Sequence, residues 1–76
     1  MSVTKRRART PEQGQRVAQA RQHAGLSQEA LAEKIGVKRL AIIRIENGTN
    51  RPSVDVALAI ARELGQSVEA LFGGGR

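Results

Sequence analysis

The 76-residue sequence predicts an all-α fold, a compact set of five short helices, and three observations carry the prediction. Apolar residues recur at three- and four-residue spacing, and no run alternates with the period of a strand. Serines stand where helix N-caps belong, at Ser27, Ser53 and Ser67, because a hydroxyl accepts a hydrogen bond from the free amides of a first turn. Glycines follow four of the helical stretches, at Gly25, Gly36, Gly48 and Gly65, where a left-handed residue ends a helix.

The spacing predicts a first helix over residues 11 to 24. Thr10, Pro11 and Gln13 fit an N-cap, a first-turn proline and the third position of a capping box. Val17, Ala20 and Ala24 are expected to face the core, while Gly14 and the small Ala20 leave this helix the most weakly specified of the five. Leu26 is expected to bury beside Gly25, and Ser27 caps a second helix over 28 to 35. Leu31 and Ile35 share one face of it.

Gly36 and Val37 make a sharp turn into a third helix over roughly 38 to 46, with Ile42 and Ile45 pointing inward. Two helices joined this way form a helix-turn-helix. Asn47 and Gly48 stop the third helix before a polar loop from Thr49 to Pro52. The fourth helix, over 54 to 64, reads as one continuous buried stripe of Val54, Ala57, Leu58, Ala61 and Leu64. Ser67 caps a last short helix whose Leu71 and Phe72 close the core. The expected organisation is a disordered basic arm over 1 to 9, a single domain over 10 to 72, and a flexible tail over 73 to 76.

Composition narrows the function classes. Thirteen Lys and Arg against seven Asp and Glu give a formal charge of +6, which favours a polyanionic partner and binding that weakens as salt rises. Phe72 is the sole aromatic residue, so the stacking platforms of most single-strand and RNA-loop binders are missing and duplex DNA gains weight. The chain has no cysteine and a single histidine, His23, which leaves no metal-ligand set. The serines read as caps and none neighbours a plausible general base, so neither an enzyme nor a bound cofactor nor a small-molecule ligand is expected. No stretch approaches the roughly 18 apolar residues of a membrane helix. The expectation is a soluble protein, cytoplasmic and associated with the nucleoid, with no membrane partner.

The segments GLSQEALAEKIGV, IENG and PSVDVALAIARELGQSVEALF, taken in that order, resemble the phage-repressor and Cro-like helix-turn-helix proteins, the XRE family. The resemblance covers residues 12 to 72. It implies a repressor-like five-helix domain whose third helix enters the DNA major groove, with Lys38, Arg39, Leu40 and Arg44 as groove-facing positions. Periodicity supports part of this independently, since inward Ile42 and Ile45 turn 39, 40, 43 and 44 outward. Arg39 and Arg44 can each donate two hydrogen bonds to guanine O6 and N7.

Leu40 carries two readings, contact with thymine methyl groups or part of a small apolar patch for a protein. Ile43 is expected to bury beside the second helix. Lys38 departs from the family pattern, where Ser or Thr often caps the third helix, because an ammonium group cannot accept a backbone bond. A DNA phosphate is expected to complete that end.

The resemblance further implies a phosphate contact for Gln28, whose amide also braces the third helix, and another for Asn47. It implies an ion pair between Arg21 and Glu46. Arg51 and the arm residues Lys5, Arg6, Arg7 and Arg9 are expected on phosphates, the arm along the backbone or in a minor groove. The resulting expectation is a transcriptional regulator that binds a palindromic site on double-stranded DNA as a homodimer. Its half-sites would lie about one helical turn, roughly 34 Å, apart. The loop after Gly48 and the region 65 to 72 are the expected interface. The alternative is an antitoxin or adaptor acting mainly through a protein partner, by way of Leu40, Ile43 or the C-terminal surface.

Overall fold

Three serines start helices, and each does so through its hydroxyl. Ser27 Oγ accepts from the Ala30 amide at 3.0 Å, Ser53 Oγ from Val56 at 3.2 Å and Ser67 Oγ from Ala70 at 2.9 Å. Each bond satisfies one of the amides that a first helical turn leaves free. The computed structural model describes residues 11–73. Within them the helices are α1 (Pro11–His23), α2 (Gln28–Ile35), α3 (Arg39–Asn47), α4 (Val54–Leu64) and α5 (Val68–Phe72), and no strand occurs among the described residues.

Gly36 makes the turn between α2 and α3 at φ +78°; its own amide donates to the Glu33 carbonyl and the Val37 amide to the Ala32 carbonyl. A side chain in this left-handed conformation would strain the backbone, although the space around a Cβ here is open. Gly25, Gly48 and Gly65 end α1, α3 and α4 with the same sign of φ.

Val17, Leu31, Ile42 and Ile60 are fully buried and form the centre of the core, joined by Ala32, Ile45, Ala61, Leu64 and Leu71. One apolar face from each helix therefore meets in a single cluster. α3 packs on α1 and α2, α4 on α2 and α5, and α5 back on α1. The last contact is polar as well as apolar. Gln13 Nε2 donates to the Phe72 carbonyl at 2.6 Å, and Arg16 donates to Leu71 O at 3.3 Å and to Gly73 O at 3.0 Å. Two side chains of α1 thus satisfy the carbonyls that the five-residue α5 leaves free at its C-terminal end.

Four features differ from the reading of the sequence. Ala24 is exposed rather than core-facing, because α1 stops at His23 and the chain turns there. α3 begins and ends one residue later than expected. Lys38 has extended backbone at φ −81°, ψ 151° and stays outside as the N-cap, while Asn47 is the last helical residue and Gly48 takes the left-handed position expected of it.

The stripe on α4 is rotated. Ile60 is buried with Ala57, Ala61 and Leu64, whereas Val54 is 76% and Leu58 45% exposed. α4 is apolar around most of its circumference, so several faces satisfy the helical period and only the packing of its neighbours selects one.

Gly14 is the fourth. It is buried, and a Cβ built there would lie 2.1 Å from Glu46 O and 2.9 Å from Ile45 O. The residue that weakens α1 as an isolated helix is the one that lets α1 touch the last turn of α3.

Candidate nucleic-acid interface

With Ile42 and Ile45 buried, the opposite side of α3 faces solvent. Lys38, Arg39, Leu40 and Arg44 are all exposed, Leu40 at 51%, and Ile43 is half-buried at the border of this face. Asn47 is exposed on the last helical residue. The surface so formed carries two cations and one large apolar side chain on the nine-residue α3, with a third cation on its N-cap residue, Lys38.

α2 contributes its first residue to the same side. Gln28 and Arg39 line one open depression together with Arg21, Ser27 and Glu29, so the N-terminal ends of α2 and α3 border a common concavity. Lys38 makes no side-chain cap bond, unlike Ser27, Ser53 and Ser67.

Beneath this surface lies a hydrogen-bond network centred on Glu46. Arg21 Nε donates to Glu46 Oε2 at 2.6 Å and Arg21 Nη2 to Glu46 Oε1 at 3.1 Å, a bidentate pair with side chains 10% and 6% exposed. The third arginine nitrogen donates to Leu26 O at 2.8 Å. Gln28 Nε2 donates to Glu46 Oε1 at 3.0 Å. One carboxylate near the end of α3 is therefore held by α1 and by the start of α2, and forked geometry makes such a pair directional. At the other side of Glu46 the Arg44 carbonyl accepts from Thr49 N at 3.0 Å and Thr49 Oγ1 at 3.1 Å, which closes the end of α3.

A family model described as Helix-turn-helix matches residues 17–71. The chain belongs to the XRE-type helix-turn-helix family. A helix-turn-helix transcriptional regulator of Methanothermobacter thermautotrophicus is 44% identical over 57 residues, spanning 74% of this chain and 83% of the relative. Among solved structures, the restriction-modification controller protein C.AhdI from Aeromonas hydrophila has a TM-score of 0.75 at 34% identity, covering 80% of this chain and 92% of that one. The P22 c2 repressor, in complex with a synthetic operator, has a TM-score of 0.75 at 29% identity, covering 80% of this chain and 94% of that one. The five helices are the repressor-type domain.

Arg51 is exposed and lines a depression of about 310 Å³ formed also by Gln13, Pro52, Val54, Ala57, Leu58, Val68 and Phe72. This largely apolar hollow is a consequence of the rotated α4 stripe, which leaves Val54 and Leu58 exposed instead of buried. Lys5, Arg6, Arg7 and Arg9 lie outside the described residues, as do Thr10 and residues 74 to 76. Among the described residues no helix is long and apolar enough to cross a membrane, and no group of His, Cys, Asp and Glu is arranged to hold a metal ion.

Proposed function

We propose that this helix-turn-helix protein is a sequence-specific transcriptional regulator that inserts α3 into the major groove of double-stranded DNA and binds a palindromic operator as a homodimer. The observation that carries the reading is the sorting of α3. Its apolar residues Ile42 and Ile45 are sealed into the core, while Lys38, Arg39, Leu40 and Arg44 all project outward from a helix of groove-fitting length. Arg39 and Arg44 read guanine, and Leu40 rests on thymine methyl groups. Gln28, Asn47 and Arg51, with the basic arm, fix register on phosphates. Lys38 brings an ammonium to a phosphate at the uncapped start of α3. Action on DNA assigns the protein to the cytoplasm, at the nucleoid.

Pairing is supported by the hollow beside α4. Exposed Val54 and Leu58 line it together with Pro52, Val68 and Phe72, a single apolar patch that the same patch of a second copy would cover about a two-fold axis. Sedimentation with and without a palindromic duplex measures that pairing. Selection from a randomised duplex pool at near-physiological salt tests the function as a whole. The expected outcome is an enriched palindrome; a pool that stays random contradicts the reading.

A further inference from the structure

We propose that the pose of the reading helix is set by a clamp on Glu46, in which Gly14 is a positioning residue for DNA recognition. The inference rests on the major-groove reading above and adds what holds α3 at the depth that reading needs. Glu46 is gripped at two levels. Its carboxylate takes Arg21 and Gln28, as described, while its backbone meets the backbone of α1 at Gly14.

The backbone contact leaves no room. A Cβ on Gly14 would lie 2.1 Å from Glu46 O and 2.7 Å from Glu46 C, besides 2.9 Å from Ile45 O. All three neighbours are main-chain atoms, so none can rotate away, and a methyl group here must push the last turn of α3 off α1. Glycines 25, 36 and 65 differ, since a Cβ on each meets nothing within 4 Å. Gly14 is also the one of these four that lies inside a helix, where glycine is unfavourable relative to alanine. Its place is accounted for by the approach of two backbones.

The displaced turn is the one that carries Arg44 just ahead of Glu46. Bidentate recognition of a base tolerates little misplacement, whereas charge attraction to phosphates tolerates much. A shift of α3 therefore costs discrimination before it costs general affinity. Simple destabilisation has the opposite signature, lowering binding to every duplex in proportion to the folded fraction.

The test measures affinity for the duplex enriched from the random pool and for a random duplex of equal length. Gly14→Ala is compared with the parent at a temperature where its helical circular dichroism matches. The ratio of the two affinities is expected to fall about tenfold, the discrimination that one misaligned arginine–guanine pair forfeits. Random-duplex affinity is expected to stay within about twofold. Glu46→Gln, which leaves the α3 backbone unstrained and weakens the side-chain half of the clamp, is expected to lower the ratio in the same direction and decides the matter if Gly14→Ala does not fold. Gln15→Ala, on the exposed side of α1, is expected to change neither affinity. Parent-like ratios in both clamp variants, or parallel loss of both affinities, overturn the proposal. A parent with no preference for the enriched duplex contradicts the DNA-reading function instead, which keeps the two failures apart.

Discussion

Gln28 donates its amide to Glu46 at 3.0 Å, joining the first residue of α2 to the last turn of α3 by a side-chain bond. An amide group has a second N–H to spare. The arrangement therefore leaves Gln28 able to hold α3 and donate to a phosphate at once, with the Arg21 guanidinium neutralising the carboxylate behind it.

Glu46→Ala removes the anchor of this network and strands a guanidinium that is only 10% exposed. Deleting one partner of a buried pair costs about 3 to 5 kcal/mol, and the lower end is expected here because Arg21 retains the Leu26 carbonyl. Urea denaturation is the measurement. A loss below about 1 kcal/mol, the range of surface pairs, removes Glu46 from the structural role given to it.

Gly36→Ala isolates backbone strain from packing. The residue stands at φ +78° with open space where a Cβ would go, so the expected loss is only the left-handed penalty, about 1 to 2 kcal/mol. Thermal denaturation of this variant beside Gly14→Ala should rank Gly14→Ala as the more damaging, because the clash with main-chain atoms there outweighs the helix propensity that alanine gains.

Lys38→Ser supplies the side-chain cap that α3 lacks. Stability is expected to rise by about 1 kcal/mol, as for other helix starts that gain a serine, while affinity for the selected duplex falls through loss of a phosphate contact. An unchanged thermal midpoint together with unchanged affinity contradicts the reading of this position.

Leu58→Glu probes pairing without touching the core, since the side chain is 45% exposed. Monomer stability should change by less than about 0.5 kcal/mol, the usual range for surface positions. Binding to a single half-site should persist, and cooperative occupation of the palindrome should be lost. Full cooperativity in this variant would move the interface elsewhere.

How legible these features are depends on the range over which they act. Ser27, Gly36, Ser53, Gly65 and Ser67 act within one turn of their own position, so the sequence states the helix limits directly. The outward face of α3 was equally readable, because Ile42 and Ile45 leave only one way to rotate the helix. On α4 local pattern ran out. VDVALAIAREL offers more apolar positions than one face can bury, and the choice of Ile60 over Val54 and Leu58 is made by α2 and α5. Gly14 looked like a defect because its partner is Glu46, far along the chain. The bonds from Gln13 and Arg16 to the end of α5 were hidden for the same reason, each joining residues more than fifty positions apart.

The central claim is that Arg39 and Arg44 on α3 read bases, and the most direct test is the affinity ratio between the enriched palindrome and a random duplex after both are changed to alanine. Both side chains are exposed, so the fold should survive. The predicted result is collapse of the ratio by about one hundredfold, from losing two base contacts, with a smaller and equal loss on both duplexes from the missing charge. A ratio that stays at the parent value would contradict the account.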